Sequence, residues 1–270
     1  MPTDKAPRLG KKAIKESLFR RVPRRLFTST RRAFGRYRYR NHFDARRLDL
    51  DWTVPQCNRI AIVNLLLAKR PHGKYLEIGC AGNEMFDSVI AMHKTGVDPA
   101  RGGTVRLTSD EFFRSDDGTR YDVIFIDGLH TYQQVRRDVI NSLSRLAKGG
   151  WIALHDMLPR DWLEEHVPRI SDTWTGDVWK MAFELSQSVD IDFRIIKVDM
   201  GVGVLRPLRE SAQLLDLGPT LADKRFPYLF DHIDTLPLLD HATARQWIEQ
   251  AVGQESSDRA YDEVRVALAP

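Results

Sequence analysis

From about residue 55 onward the apolar positions switch repeatedly between a helical and a strand period. Ile60, Ile62, Val63, Leu66 and Leu67 line one face of a predicted helix that opens at Pro55 and stops at Pro71-His72-Gly73. Residues 74–79 (KYLEIG) read as a short apolar strand and 85–92 as a short helix. Residues 95–98 (TGVD) are a second strand and 105–108 a third. The run 121–127 (YDVIFID) is nearly all apolar, which predicts a strand buried on both faces. A helix over 132–147 ends at the glycine cap Lys148-Gly149-Gly150, and 151–155 (WIALH) is another central strand. A helix near 178–188 precedes strands 192–198 and 201–206. Only Asp199-Met200 separates these two, so they form a hairpin.

This alternation is the signature of an α/β fold: a seven-stranded, mostly parallel, doubly wound sheet with a terminal antiparallel hairpin strand at its edge. Ligands of such sheets sit beyond the carboxyl ends of the strands. The residues to watch are therefore Glu77 to Gly82, Asp98, Ser109-Asp110, Asp127 to His130 and His155-Asp156, each cluster following a predicted strand. Residues 208–270 lie beyond this sheet domain of 48–207. Their apolar clusters, Leu214-Leu215-Leu217-Leu221, Phe226-Tyr228-Leu229-Phe230 and Trp247-Ile248-Val252, predict a helical extension serving as a lid or a subunit interface.

Charge adds a third part. Residues 1–47 hold 16 Lys and Arg against Asp4, Glu16 and Asp44, while the rest of the chain is net acidic. Ile14, Leu18, Phe19 and Val22 recur at helical spacing among these cations, and Arg36 to Arg40 alternate cation and aromatic. Such an arm suits an anionic membrane surface, a phosphate-bearing partner or a solvated extension packing on the body or a neighbouring subunit. No zinc-finger spacing or RNA-binding motif accompanies it, so nucleic acid is the less favoured partner. Composition, 42% hydrophobic and 29% charged, excludes wholesale disorder. Two cysteines exclude a disulfide scaffold and suit a reducing compartment. No apolar run is long enough to span a bilayer and no secretory leader is evident, so a cytoplasmic protein, peripheral at most to the inner face of the membrane, is expected.

The strand-end residues point to chemistry. Glycines in Glu77-Ile78-Gly79-Cys80-Ala81-Gly82-Asn83 let the backbone approach a ligand. Asp98 can accept hydrogen bonds from both hydroxyls of a ribose, or serve as a turn residue. Asp127 and Asp156 end neighbouring strands, and two carboxylates that close invite a shared proton or a cation. A divalent cation there leaves positions for substrate oxygens, and His130 stands one short turn from Asp127, in reach of a proton, unless it caps the following helix. His155 is either a ligand or a strand-end imidazole bonded to a backbone carbonyl. In Trp174-Thr-Gly-Asp177-Val-Trp179, the tryptophans are either packing or a substrate wall, and Asp177 is an N-cap or a polar contact.

The order Glu-Ile-Gly, strand-end Asp98, Ser109-Asp110-Glu111-Phe112-Phe113, Phe125-Ile126-Asp127-Gly128-Leu129-His130-Thr131-Tyr132 and Leu154-His155-Asp156 resembles class I S-adenosylmethionine-dependent methyltransferases over about residues 55–207. It is most similar to the metal-dependent small-molecule and sugar O-methyltransferases, the macrocin-type and cephalosporin hydroxylase-like group. The resemblance implies that Glu77, Gly79, Cys80 and Ala81 line the methionine and ribose part of the cofactor. It places Asp98 on the ribose and Ser109 and Asp110 beside adenine. Asp127 and Asp156 are then ligands of Mg²⁺ or Mn²⁺, Asp127 also bordering the cofactor, and His130 is the general base. It further implies an acceptor that is a sugar, glycoconjugate or other small molecule. Departures are Ala81 and Asn83, which replace two loop glycines, the short span from Asp98 to Ser109, and His155 at an expected acidic ligand position. An RNA methyltransferase using the arm and a non-catalytic cofactor-binding scaffold are the alternatives.

Overall fold

A computed structural model describes residues 24–52, 57–68, 70, 72–115 and 117–253. The helical spacing of Ile14 to Val22 and the punctuating Pro55 and Pro71 lie outside these residues. The chain divides into a unit ending at Phe43 and a second beginning at Asp44. The first contains helix α1 (Arg24–Arg38), on which Phe34 and Tyr37 are exposed. This division falls four residues before the end of the basic stretch read from charge. Arg47 pairs with Asp161 at 2.9 Å, and the Leu48 N–H donates to the Arg160 carbonyl, within the second unit.

The second unit opens with α2 (Arg59–Leu67), whose N-cap Asn58 accepts the Ala61 N–H. Strands β1 (Lys74–Ile78), β2 (His93–Val97), β3 (Tyr121–Ile126) and β4 (Leu146–Leu154) are mutually parallel, with β1 and β3 inside. Helix α3 (Glu84–Ser88) follows β1, α4 (Ser109–Arg114) precedes β3, and α5 (Tyr132–Arg145) joins β3 to β4. Helices α6 (Trp162–Glu165) and α7 (Lys180–Gln187) lead to β5 (Ile191–Ile196) and β6 (Val202–Pro207). The tail adds α8 (Gly218–Leu221), α9 (Phe226–His232), strand β7 (Leu238–Leu239) and a helix over 241–253. The sheet order is β2-β1-β3-β4-β6-β5-β7.

Alternate residues of β1, β3 and β4 face opposite sides of the sheet. Tyr75, Val123, Phe125, Trp151 and Ala153 join a core with Ile62, Val63 and Leu66 of α2. Leu76, Ile124, Ile152 and Leu154 are equally buried, and α5 packs against β3 and β4. Burial of β3 on both faces is therefore as its composition demands.

Four details differ from the sequence reading. Residues 105–108 do not form a strand. Val105 makes a single bridge to Val97, and the chain then enters α4 through a capping box in which Thr108 Oγ1 accepts the Glu111 N–H and Glu111 accepts the Thr108 N–H. The seventh strand is instead β7, which pairs parallel to β5. The antiparallel strand β6 lies between β4 and β5, not at the edge. Gly149 and Gly150 do not cap α5. They lie inside β4 at a register irregularity opposite β3, with Gly149 at φ +65°. Finally, residues 238–253 are part of the fold: Ala244, Ile248, Ala251 and Val252 are buried in the same core as α2, and the Trp247 ring meets Trp151 edge-on at 5.4 Å.

Candidate active site

The carboxyl ends of β1 to β4 open into one cavity of about 1050 Å³. Gly79, Cys80, Ala81 and Asp98 line it from the β1 and β2 side, Ser109 and Asp110 from α4, and Asp127, His130, His155 and Asp156 from the β3 and β4 ends. Of the residues given a catalytic, cofactor or metal role in the sequence, Glu77 alone does not line it. It lies two residues from Tyr75 on the same face of β1, is buried, and accepts the Tyr75 hydroxyl at 2.7 Å. Burial raises its carboxyl to about 7, against the lowering effect of that hydrogen bond.

On the β1 side the loop is open. Gly79 sits at φ +89°, where a Cβ would run into the Asp127 carbonyl. The non-glycine replacements keep the left-handed backbone, Ala81 at φ +44° and Asn83 at φ +66°. Asn83 tolerates that conformation and uses it, its Oδ1 accepting the Gly103 N–H at 2.7 Å. Asp98 is both a turn residue and a wall of the cavity. Its carboxylate accepts the N–H groups of Ala100 and Arg101 at 2.8 and 2.9 Å and that of Ala81 at 3.0 Å. Burial opposes its charge, but these backbone donors hold the carboxyl below its ordinary value. Cys80 is a buried thiol pushed up to about 12 by burial, so it is a packing wall and no nucleophile.

The β3 and β4 ends form a carboxylate–imidazole cluster. His130 Nε2 is 3.2 Å from Asp127 Oδ1, and its Nδ1 is 2.9 Å from Asp156 Oδ2. Burial works against a charged imidazole, but the two carboxylates outweigh it and raise His130 to about 10. Asp127, in turn, is lowered by His155 and His130 despite its burial. Asp156 stands at φ +62°, and its Oδ1 is buried without a hydrogen-bond partner. Ligand atoms of Asp127, His130 and Asp156 lie within 4.8 Å of one another. Two carboxylates, one of them with a buried oxygen that makes no hydrogen bond, and an imidazole beside them fit a divalent cation with mainly oxygen ligands. His155 stands apart from this trio. Its Nε2 is 2.8 Å from the Asp199 carbonyl, while Nδ1 faces Asp127 and Asp156 at 3.3 and 3.4 Å. The backbone bond at Nε2 fixes the ring, and Nδ1 is turned toward the same two carboxylates.

Trp174 forms a wall: its ring stacks on His130 at 5.1 Å and 16°. Trp179 is fully buried packing. Asp177 accepts the Tyr132 N–H at 2.7 Å, at the start of α5, and pairs with Lys180. That leaves His130 free of the capping role. Sequence reasoning missed Arg59, Gln134 and Met200, all lining the cavity, and Asp199 behind it. Gln134 Nε2 reaches Ser109 Oγ, Asp110 Oδ1 and Asp138 Oδ1 at 3.0–3.1 Å and so ties α4 to α5. Gly176, at φ +63°, packs against the His130 carbonyl so closely that no side chain fits. The glycine was the one visible signal for this contact.

A family model described as a methyltransferase domain matches residues 69–157, from just after α2 to just beyond β4. Solved structures with likeness to the chain include an O-methyltransferase from Bacillus cereus in complex with S-adenosylhomocysteine, 11% identical, covering 72% of this chain and 96% of that one at a TM-score of 0.44. TomG, an O-methyltransferase from Streptomyces achromogenes solved with S-adenosylmethionine, is 14% identical over 67% of this chain and 90% of its own, with a TM-score of 0.41. MycE, a methyltransferase of the mycinamycin biosynthetic pathway solved with Mg and S-adenosylhomocysteine, is 14% identical over 59% of this chain and 53% of its own, with a TM-score of 0.39. No curated protein matches the chain. Among the described residues no helix is long and apolar enough to cross a membrane.

Proposed function

We propose that this chain, which carries a methyltransferase domain over residues 69–157 on a class I methyltransferase sheet, transfers the methyl group of S-adenosylmethionine to a hydroxyl of a sugar, glycoconjugate or other small molecule. The observation that carries this reading is one cavity joining the glycine-cornered loop and Asp98 to the cluster of Asp127, His130 and Asp156. Asp98 receives the ribose hydroxyls and Ser109 and Asp110 border the adenine. Ala81 still lines the cavity in place of a loop glycine, which disfavours a dead scaffold.

Methyl transfer needs an oxygen nucleophile held in line with the sulfonium, so positioning supplies much of the rate. The Trp174 ring and the exposed Leu129 give the acceptor an apolar wall. Asp127 and Asp156 are the residues that would hold a divalent cation, which leaves the neighbouring His130 imidazole for the proton. When bound, that cation supplies positive charge that acidifies an acceptor hydroxyl and offsets the two carboxylates. His130, beside Trp174 at the cavity wall, is assigned to receive the acceptor proton in the state where a bound cation offsets the Asp127 and Asp156 charges that otherwise keep its imidazole protonated. His155, fixed by the Asp199 carbonyl, orients the carboxylates from below.

Titration calorimetry with S-adenosylhomocysteine, in Mg²⁺, in Mn²⁺ and in chelator, tests this. Saturable binding with a separate heat for metal is expected. No binding in any condition would overturn the reading, and full turnover in chelator would remove the cation from it.

A further inference from the structure

We infer that Arg59 is the receptor for the carboxylate of the cofactor's amino-acid end, and that Asp199 on the β5–β6 turn holds it there; this rests on the methyltransferase reading above. Along the sheet edge the order is Asp98 after β2, Gly79 after β1, Asp127 after β3 and Asp156 after β4. A cofactor with its ribose at Asp98 and its adenine at Ser109 and Asp110 therefore runs its amino-acid end past Gly79 toward β3 and β4. An α-carboxylate in a half-enclosed cavity needs a cation or several donors.

Arg59 spans that stretch. Its Nη1 lies 2.8 Å and its backbone N–H 3.1 Å from Asp199 Oδ2, and its Nη2 is 3.7 Å from Glu84 Oε2, on the helix after β1. The side chain thus reaches from the β5–β6 turn to the far side of the glycine loop. Three arginines line the cavity; Arg101 and Arg169 are exposed, whereas Arg59 is only half-buried. Its Nε is buried without a hydrogen-bond partner, although the residue lines the cavity. That Nε is closed off, and Nη1 is engaged by Asp199; Nη2, at 3.7 Å from Glu84 too far for a hydrogen bond, is the donor left to meet a ligand carboxylate. Asp199 is suited to the holding role by a backbone no ordinary turn supplies: Asp199, Met200 and Gly201 stand at φ +46°, +62° and +87° in succession. This brings the Asp199 side chain to Arg59 while its carbonyl faces His155.

The test compares two ligands on the full chain. S-adenosylhomocysteine carries the α-carboxylate, and 5′-methylthioadenosine has the same nucleoside without it. Arg59→Gln should weaken S-adenosylhomocysteine about 10- to 100-fold and leave 5′-methylthioadenosine within about twofold. Asp199→Asn should show the same selective loss at smaller size, because the amide still fits but no longer anchors the cation. Equal weakening of both ligands, or of neither, would overturn the proposal and return Arg59 to a structural ion pair. Should Arg59→Gln fail to fold, Arg59→Lys carries the same comparison, with a smaller selective loss expected. A parent chain that binds neither ligand would instead overturn the cofactor reading itself.

Discussion

Gly79 is where backbone geometry and chemistry meet most tightly. At φ +89° an L side chain is strained whatever the space, and here a Cβ would overlap the carbonyl of Asp127 and come 2.6 Å from Gly128 Cα. Gly79→Ala must push the β1 and β3 ends apart, so it should cost about 2–3 kcal/mol in denaturant unfolding and abolish S-adenosylhomocysteine binding. A variant that binds normally would mean the two strand ends are not held as described. The reverse change is expected at Met200, a non-glycine residue at φ +62°: Met200→Gly should leave stability unchanged or raise it by up to about 1 kcal/mol. At this scale, legibility followed chain neighbourhood. Asp98, Asp127 and Asp156 each follow a strand, so topology alone brings them to one edge. Glu77 also follows that logic but lies one step inside the strand, where alternation turns it toward Tyr75 and the core. Arg59 was invisible because its meaning depends on Asp199, 140 residues away.

Among the elements, the tail shows where patterns run out. The amphipathic spacing of Trp247, Ile248 and Val252 was readable, but not the surface it covers. A two-residue strand such as β7 has no period to detect, and its existence depends on the open edge of β5. The glycine pair at 149–150 could be a helix cap or a strand irregularity, and only pairing with β3 decides. Ile248 is fully buried against the α2 side of the core. Ile248→Ala should therefore destabilise the body by about 2–4 kcal/mol in denaturant titration, as core truncations do. A detachable lid or a free interface helix would show a loss near zero and a change only in activity or oligomeric state.

At the scale of the molecule, charge decides behaviour. The basic segment ahead of residue 44 ends in α1, which exposes Phe34 and Tyr37 among arginines. We propose that it meets an anionic membrane surface. The full chain should then co-sediment with vesicles rich in anionic phospholipid and lose this with Phe34→Ser and Tyr37→Ser together; equal sedimentation of parent and variant would sink the idea. The body carries a different electrostatic signature. Burial raises Glu77 and Glu165 to about 7 and Asp138 to about 6. An acid whose folded value is raised loses nothing below its unfolded value, and its penalty grows until pH passes the folded value. Asp127 and Asp199 run the other way: burial opposes them, but the imidazoles, and for Asp199 also Arg59, lower both, so their contribution is present above the unfolded value near 3.8 and disappears only in stronger acid. His130, raised to about 10, contributes fully below its unfolded value of 6.5 and loses that contribution at higher pH. The signs agree above pH 5, so denaturant stability should fall from about pH 5.5 to pH 8. Glu165 isolates one share of this, because it is buried beside Trp179 and does not line the cavity. Glu165→Gln is neutral at every pH, so it should remove up to about 3 kcal/mol of that fall while leaving S-adenosylhomocysteine affinity unchanged. A variant whose stability falls with pH as steeply as the parent's would mean that the Glu165 carboxylate is compensated in the folded chain.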